Sequence, residues 1–168
     1  MNARQLLLSG GIVLAILGMS YGLWYAVFAE HQALDRIGHS LSSGFQAAAQ
    51  RNAGAADQAL LEYRQAKYVY DRQVDVHGHW IGLSMLLIVL AIGLDNVKYS
   101  ETQKLWLAWF LFLGSVIFPL GVLMQTWNHG PIPRIVAILG SGMVITSLAG
   151  IVAGVVRQRP VSLAADAH

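Results

Sequence analysis

Three stretches of this chain, Leu6–Ala29, Leu105–Trp127 and Ile135–Val156, run for 24, 23 and 22 residues without an Asp, Glu, Lys or Arg. A fourth, Val76–Leu94, runs for 19. At a rise of about 1.5 Å per residue, about 20 helical residues cross a hydrocarbon core roughly 30 Å thick. Lipid offers no partner to an exposed backbone group, so such runs cross as helices. The expectation is an all-α integral membrane four-helix bundle, with residues 1–168 as one membrane domain.

Composition agrees. Charged residues are 12% of the 168, about half the share of an ordinary soluble domain, and 55% are hydrophobic. That argues against a disordered chain, a nucleic-acid binder and a typical soluble enzyme. The absence of cysteine rules out disulfides, iron–sulfur clusters, thiolate zinc sites and covalently attached c-type haem. A net charge of +2 says little about partners.

The first run exceeds the roughly 7–15 residues of a signal-peptide core, so it reads as an uncleaved span. Arg4, Lys98, Lys104, Arg157 and Arg159 lie in short segments on one side; Arg134 lies on the other, in a short loop. This excess of Lys and Arg predicts cytoplasmic termini in a bacterial inner membrane. Asp95–Lys104 then forms an inner turn, and Asn128–Pro133 an outer one. The first and last spans each carry a Gly-xxx-Gly pair, Gly18/Gly22 and Gly150/Gly154, suited to close helix packing. Pro119 predicts a kink in the third span.

Eleven of the twenty charged residues fall in the outer segment 30–75. A plain loop of that length would be unusual. Spans 1 and 2 are expected to extend outward as helices, so the segment is extended and partly helical. Breaks are expected at Ser40–Gly44 and at Asn52–Ala55, and Ala56–Val74 has the composition of a helix.

Histidine carries most of the chemical information. His31, His39, His77, His79 and His129 sit on the outer side or at its boundary; His168 ends the chain. No ionisable residue lies in the middle of a span, which weakens a transporter or channel reading. If span 1 continues outward as a helix, His31, Asp35 and His39 share a stripe at i, i+4, i+8. Asp71, Asp75 and His79 form a second stripe. Imidazole and carboxylate at this spacing suit copper, zinc or iron. His31, Asp35, His39, Asp75 and His79 are therefore the candidate metal ligands. The alternative is an interfacial polar layer, with Asp71 and Asp75 paired to Arg72 and Arg64. His77 and His79 are about 200° apart on a helix and cannot both ligate one centre. His79 shares a face with Asp75 and is the preferred inward residue. The aromatics Tyr21, Trp24, Tyr25, Phe28, Trp80 and Trp127 at outer ends, and Trp106 and Trp109 near the inner end of span 3, read mostly as an interfacial belt.

The run Val76-His77-Gly78-His79-Trp80-Ile81-Gly82-Leu83-Ser84-Met85 resembles the His-x-His start of a span in small four-helix membrane proteins related to subunit I of haem–copper oxidases and nitric oxide reductases. In the larger relatives, an outer-side histidine entering the second span ligates a low-spin haem. The resemblance implies haem b at His79, then His77, His31 or His129, with Met124 or another chain also open as the second axial ligand. The later histidines that larger relatives use for oxygen or nitric oxide reduction have no counterpart here, so an isolated enzyme is not expected.

Three functions stay open on the sequence. The first is a protein of the inner membrane binding haem b or a metal, acting in respiratory electron transfer or as an accessory to a respiratory enzyme. The second is a non-catalytic structural or assembly subunit. The third is a periplasmic-face metal sensor or metallochaperone. The expected partners are the lipid bilayer and a respiratory complex or a second copy, with no nucleic acid.

Overall fold

The computed structural model describes residues 2–157; Arg159 and His168 lie outside them. Helix α1 (Ala3–Trp24) passes through a π-helical turn, Tyr25–Ala29, directly into α2 (Glu30–Ala49). The chain reverses and returns as α3 (Ala53–Gly93), then α4 (Glu101–Met124) and α5 (Pro131–Val156). No strand occurs among the described residues. Four continuous helices, Ala3–Ala49, Ala53–Asn96, Glu101–Met124 and Pro131–Val156, are long and apolar enough to cross a membrane. The expected runs 6–29, 76–94 and 135–156 lie within helical segments; the third helix ends at Met124, and residues 125–127 form a turn.

Helix ends follow local chemistry. Asn2 with Gln5, and Ser100 with Gln103, form reciprocal capping boxes at the starts of α1 and α4. Pro131 opens α5, where its missing N–H costs nothing. Pro119 lies buried inside α4 without interrupting it.

The expected break at Ser40–Gly44 is absent: α2 runs unbroken to Ala49. Ser40 donates its hydroxyl hydrogen bond to the Ile37 carbonyl at 3.0 Å, so the side chain is satisfied without opening the helix. A Cβ on Gly44 would sit 3.6 Å from that of Ala59. Ser40, Ala47 and Ala59 are buried. Small residues here form a packing seam, and contact with α3 outweighs their weak helix propensity.

The reversal occurs at the second expected break. Arg51 N–H donates to Ala48 O and Asn52 N–H to Ala47 O, both at 2.9 Å. These are the paired bonds of a Schellman cap. Arg51 occupies the left-handed position, with φ 57°, where glycine is the usual residue. Asn52 then caps α3 by accepting from Ala55 N–H at 3.2 Å.

The π turn decides which face of α2 meets α3. Gly18 and Tyr25 are seven residues apart on the packed face, Ala33 follows eight later, and Ser40 and Ala47 follow at sevens. One extra residue rotates the following helix by about 100°. It keeps Ser40, Gly44 and Ala47 on the seam and leaves His31, Asp35 and His39 beside it, where all three are exposed.

Elsewhere α1 packs on α3 and α4, and α4 packs on both α3 and α5. The α4–α5 approach is the tightest. A Cβ on Gly140 would meet the backbone of Phe118, one on Gly121 the backbone of Ala137, and one on Gly114 the carbonyl of Gly140 at 2.8 Å. The Gly18/Gly22 pair is also a close approach, against Trp80, Ile81 and His77 of α3. Outward faces are apolar: Ile16, Leu23, Val89, Ile92, Ile138 and Ile145 are among the exposed side chains.

Two stability predictions follow from this packing. Gly140→Ala is expected to cost about 1–3 kcal/mol by forcing α4 and α5 apart. Gly142→Ala meets open space and is expected to be neutral or stabilising by up to about 1 kcal/mol. Thermal unfolding of both variants in detergent, followed by circular dichroism, checks the contrast. Arg51→Gly is expected to raise the same unfolding midpoint, because it relieves the left-handed residue of its Cβ clash.

Candidate functional site

The histidines of the α3 motif face different neighbours. His77 Nδ1 lies 2.9 Å from the Gly18 carbonyl, so the N–H of that tautomer donates to it. The imidazole sits where a Gly22 side chain would be. His79 points the other way, its ring centroid 4.6 Å from that of Phe118 on α4. Both are half-buried. The preference for His79 as the inward residue thus becomes a division: His77 serves the α1 contact and His79 the α4 contact.

His129, in the α4–α5 joint, stacks on Tyr68 with centroids 5.2 Å apart. The Tyr68 hydroxyl donates to Gln125 Oε1 at 3.2 Å, and the Arg72 guanidinium lies 5.1 Å from the Tyr68 ring. Tyr68 is eleven residues from His79 along α3, about 16 Å at the helical rise. His129 is therefore held at a different level from His79. His31 stands exposed on α2. Each of the four imidazoles thus has its own environment, and a haem held by two histidines of this chain does not fit that arrangement.

The carboxylates behave similarly. Asp75 pairs with Arg72 at 3.3 Å, as the interfacial alternative expects. Asp71 pairs instead with Lys67, at 2.9 Å. That hydrogen bond holds the Lys67 ammonium above the usual lysine range. The sign is that of a raised base: the pair's contribution is present below the ordinary lysine value and is lost as pH rises through the Lys67 value. Among the described residues no group of three or more His, Asp or Glu is placed to hold a metal ion.

Two features were not foreseen. Trp80 and Tyr25 are buried rather than part of the aromatic belt, and Trp80 packs edge-on against Tyr21 at 5.5 Å. Tyr21 Oη, Tyr25 Oη and Trp80 Nε1 are buried beside the α1–α3 contact without partners among the described residues. The second feature is a cleft of about 540 Å³ between α2 and α3. Asp35, Arg36, His39, Glu62 and Gln65 stand around it. Asp35 and His39 come from the sequence stripe; Arg36, Glu62 and Gln65 gave no signal, because only the α2–α3 pairing brings them to the same place.

The chain matches no family model, no curated protein and no solved structure. Its chemistry has to be read from its own geometry. That geometry contains one packing histidine, one half-buried histidine on the α3–α4 contact, and a charged cleft on a water-compatible hairpin.

His77 is expected to be structural. His77→Ala should cost about 1 kcal/mol for the hydrogen bond plus the packing lost at the Gly22 notch. Gly22→Val, which pushes the imidazole out of that notch, should destabilise the fold by a similar or larger amount. His79→Ala should have the smaller effect on the unfolding midpoint. A midpoint more sensitive to His79→Ala than to His77→Ala would contradict this assignment.

Proposed function

We propose that the chain is a non-catalytic structural or assembly subunit of a membrane, crossing it four times, with the α2–α3 hairpin standing out of the bilayer as a docking element. The observation carrying this reading is the length of the first two long helices, 47 and 44 residues. At the helical rise these are about 70 and 66 Å, roughly twice the hydrocarbon thickness. Their apolar halves suit lipid, and the surplus halves contain eleven of the twenty charged residues. A paired antiparallel hairpin some 30 Å tall is far stiffer than a loop, which suits presenting a fixed surface to a partner. The distribution of Lys and Arg supports cytoplasmic termini in a bacterial inner membrane, with the hairpin on the periplasmic side.

A second reading keeps haem, on one observation. His79 is half-buried against Phe118 and makes no hydrogen bond among the described residues. That reading takes one axial ligand from this chain and the other from a partner. Bound haem would supply one-electron transfer; His79 would orient it and Phe118 would shield one flank.

The native chain has no cysteine, which makes topology directly testable. Phe45→Cys near the hairpin tip, exposed at 72%, should react with an impermeant maleimide in intact cells. Ser100→Cys, in the α3–α4 joint, should react only after permeabilisation. Labelling of both, or of neither, before permeabilisation would overturn the topology. Oxidised and reduced absorption spectra of the purified chain separate the two functions. The subunit reading expects no stoichiometric haem. A b-type spectrum abolished by His79→Ala would replace it with the haem reading.

A further inference from the structure

We infer that the cleft between α2 and α3 binds a small zwitterion of amino-acid size. This goes beyond the subunit reading, and it needs the hairpin alone rather than any particular partner or topology. The volume of about 540 Å³ falls in the ordinary range of small-molecule sites, about 300–1,000 Å³. Ala33 and Ala66 keep the floor open because their side chains stop at Cβ, and Val69 extends the apolar lining. Ser40 closes the floor with its hydroxyl already committed to Ile37 O, so it adds no unmet demand.

The charges around the cleft specify the ligand. Asp35, Arg36 and Glu62 all line it, and none forms an ion pair among the described residues. Nearby Lys67 and Arg72 are already paired within α3. Glu62 accepts one bond from Gln58 at 3.2 Å, and its second oxygen accepts none from the described residues. A simple anion would meet Arg36 beside two carboxylates; a simple cation would meet the reverse conflict at Arg36. A molecule carrying both charges meets neither. Arg36 suits its carboxylate, because the guanidinium presents a planar fork of donors. Asp35 and Glu62 suit its ammonium, and the Gln65 amide can donate or accept. The apolar floor takes the remaining side chain. A bare metal ion fits less well, since these groups ring the cleft without forming a metal-holding cluster.

The test is calorimetric titration of the full-length protein in detergent at low salt with L-leucine, L-leucinamide and N-acetyl-L-leucine. Leucine should bind saturably, with Kd below about 1 mM. The amide, lacking the carboxylate, and the acetylated acid, lacking the ammonium, should each bind at least about ten-fold more weakly. Arg36→Ala, Glu62→Gln and Ala66→Leu should each weaken leucine at least as much, while Asp57→Asn on the same hairpin should not. Circular dichroism verifies that each variant stays helical. The inference fails if leucine shows no saturable binding up to about 10 mM. It also fails if leucinamide binds as well as leucine, which would make the cleft a cation site, or if Arg36→Ala and Glu62→Gln leave leucine binding unchanged. The comparison of the three probes on the native chain decides the matter even if a variant fails to fold. None of these outcomes bears on the topology test, so the two conclusions stand or fall separately.

Discussion

The seam of small residues along one face of the first long helix is the contact on which the rest depends. Gly11, Gly18 and Gly22 let α1 approach α3 until its missing side chains are replaced by Leu87, Trp80 and His77; Ser40, Gly44 and Ala47 continue the seam against Ala59. Where lipid surrounds a helix, hydrophobic transfer gives helices little reason to associate, and close van der Waals contact becomes the main attraction. In the hairpin, burial of small apolar surface adds to it. The same device recurs between α4 and α5, where glycines bring two backbones into direct contact.

Keeping one seam along both the uncharged and the charged stretch of this helix involves an adjustment of helical phase. The π turn Tyr25–Ala29 supplies it at the point where the uncharged run gives way to the charged hairpin. Its consequence reaches the chemistry. A straight α-helix would carry the face of Tyr25 on toward Arg36 and His39; with one residue added, Ser40 takes the seam and Asp35, Arg36 and His39 stand beside it. The α2 side of the cleft therefore exists because of a backbone irregularity about ten residues away.

Polar groups at the hairpin end of the apolar region divide into settled and unsettled ones. Tyr68, Gln125, Arg72, Asp75 and His129 form a connected set of hydrogen bonds, ion pairs and stacked rings that joins α3 to the α4–α5 joint, with only Arg72 Nε in that set buried and without a partner among the described residues. Tyr25, at 5% exposure, and Trp80, at 8%, keep polar atoms without partners among the described residues beside the α1–α3 contact. A buried polar group that no partner reaches costs on the order of 1–3 kcal/mol, and these lie beside the π turn.

Four long apolar helices, their approximate ends, the hairpin reversal at Asn52 and the glycine contacts of the first span were all legible in the sequence. Each rests on local chemistry: run length against hydrocarbon thickness, capping side chains, and residues too small to hold a neighbour away. The continuity of α2 through Ser40–Gly44 was not legible, because local propensity favours a break and only contact with α3 reverses that preference. Nor was the rotation at Tyr25–Ala29, since no residue type encodes an added helical residue; it arises from fitting two helices together over their whole length. The candidate site divides along the same line. Sequence spacing placed His31, Asp35 and His39 on one stripe of one helix. Tertiary packing decided that His31 faces away, that Asp35 and His39 share a cleft with Glu62 and Gln65, and that His77 and His79 serve opposite neighbours. Spacing fixes angles within a helix, whereas what a face meets depends on the phase and register of its partner.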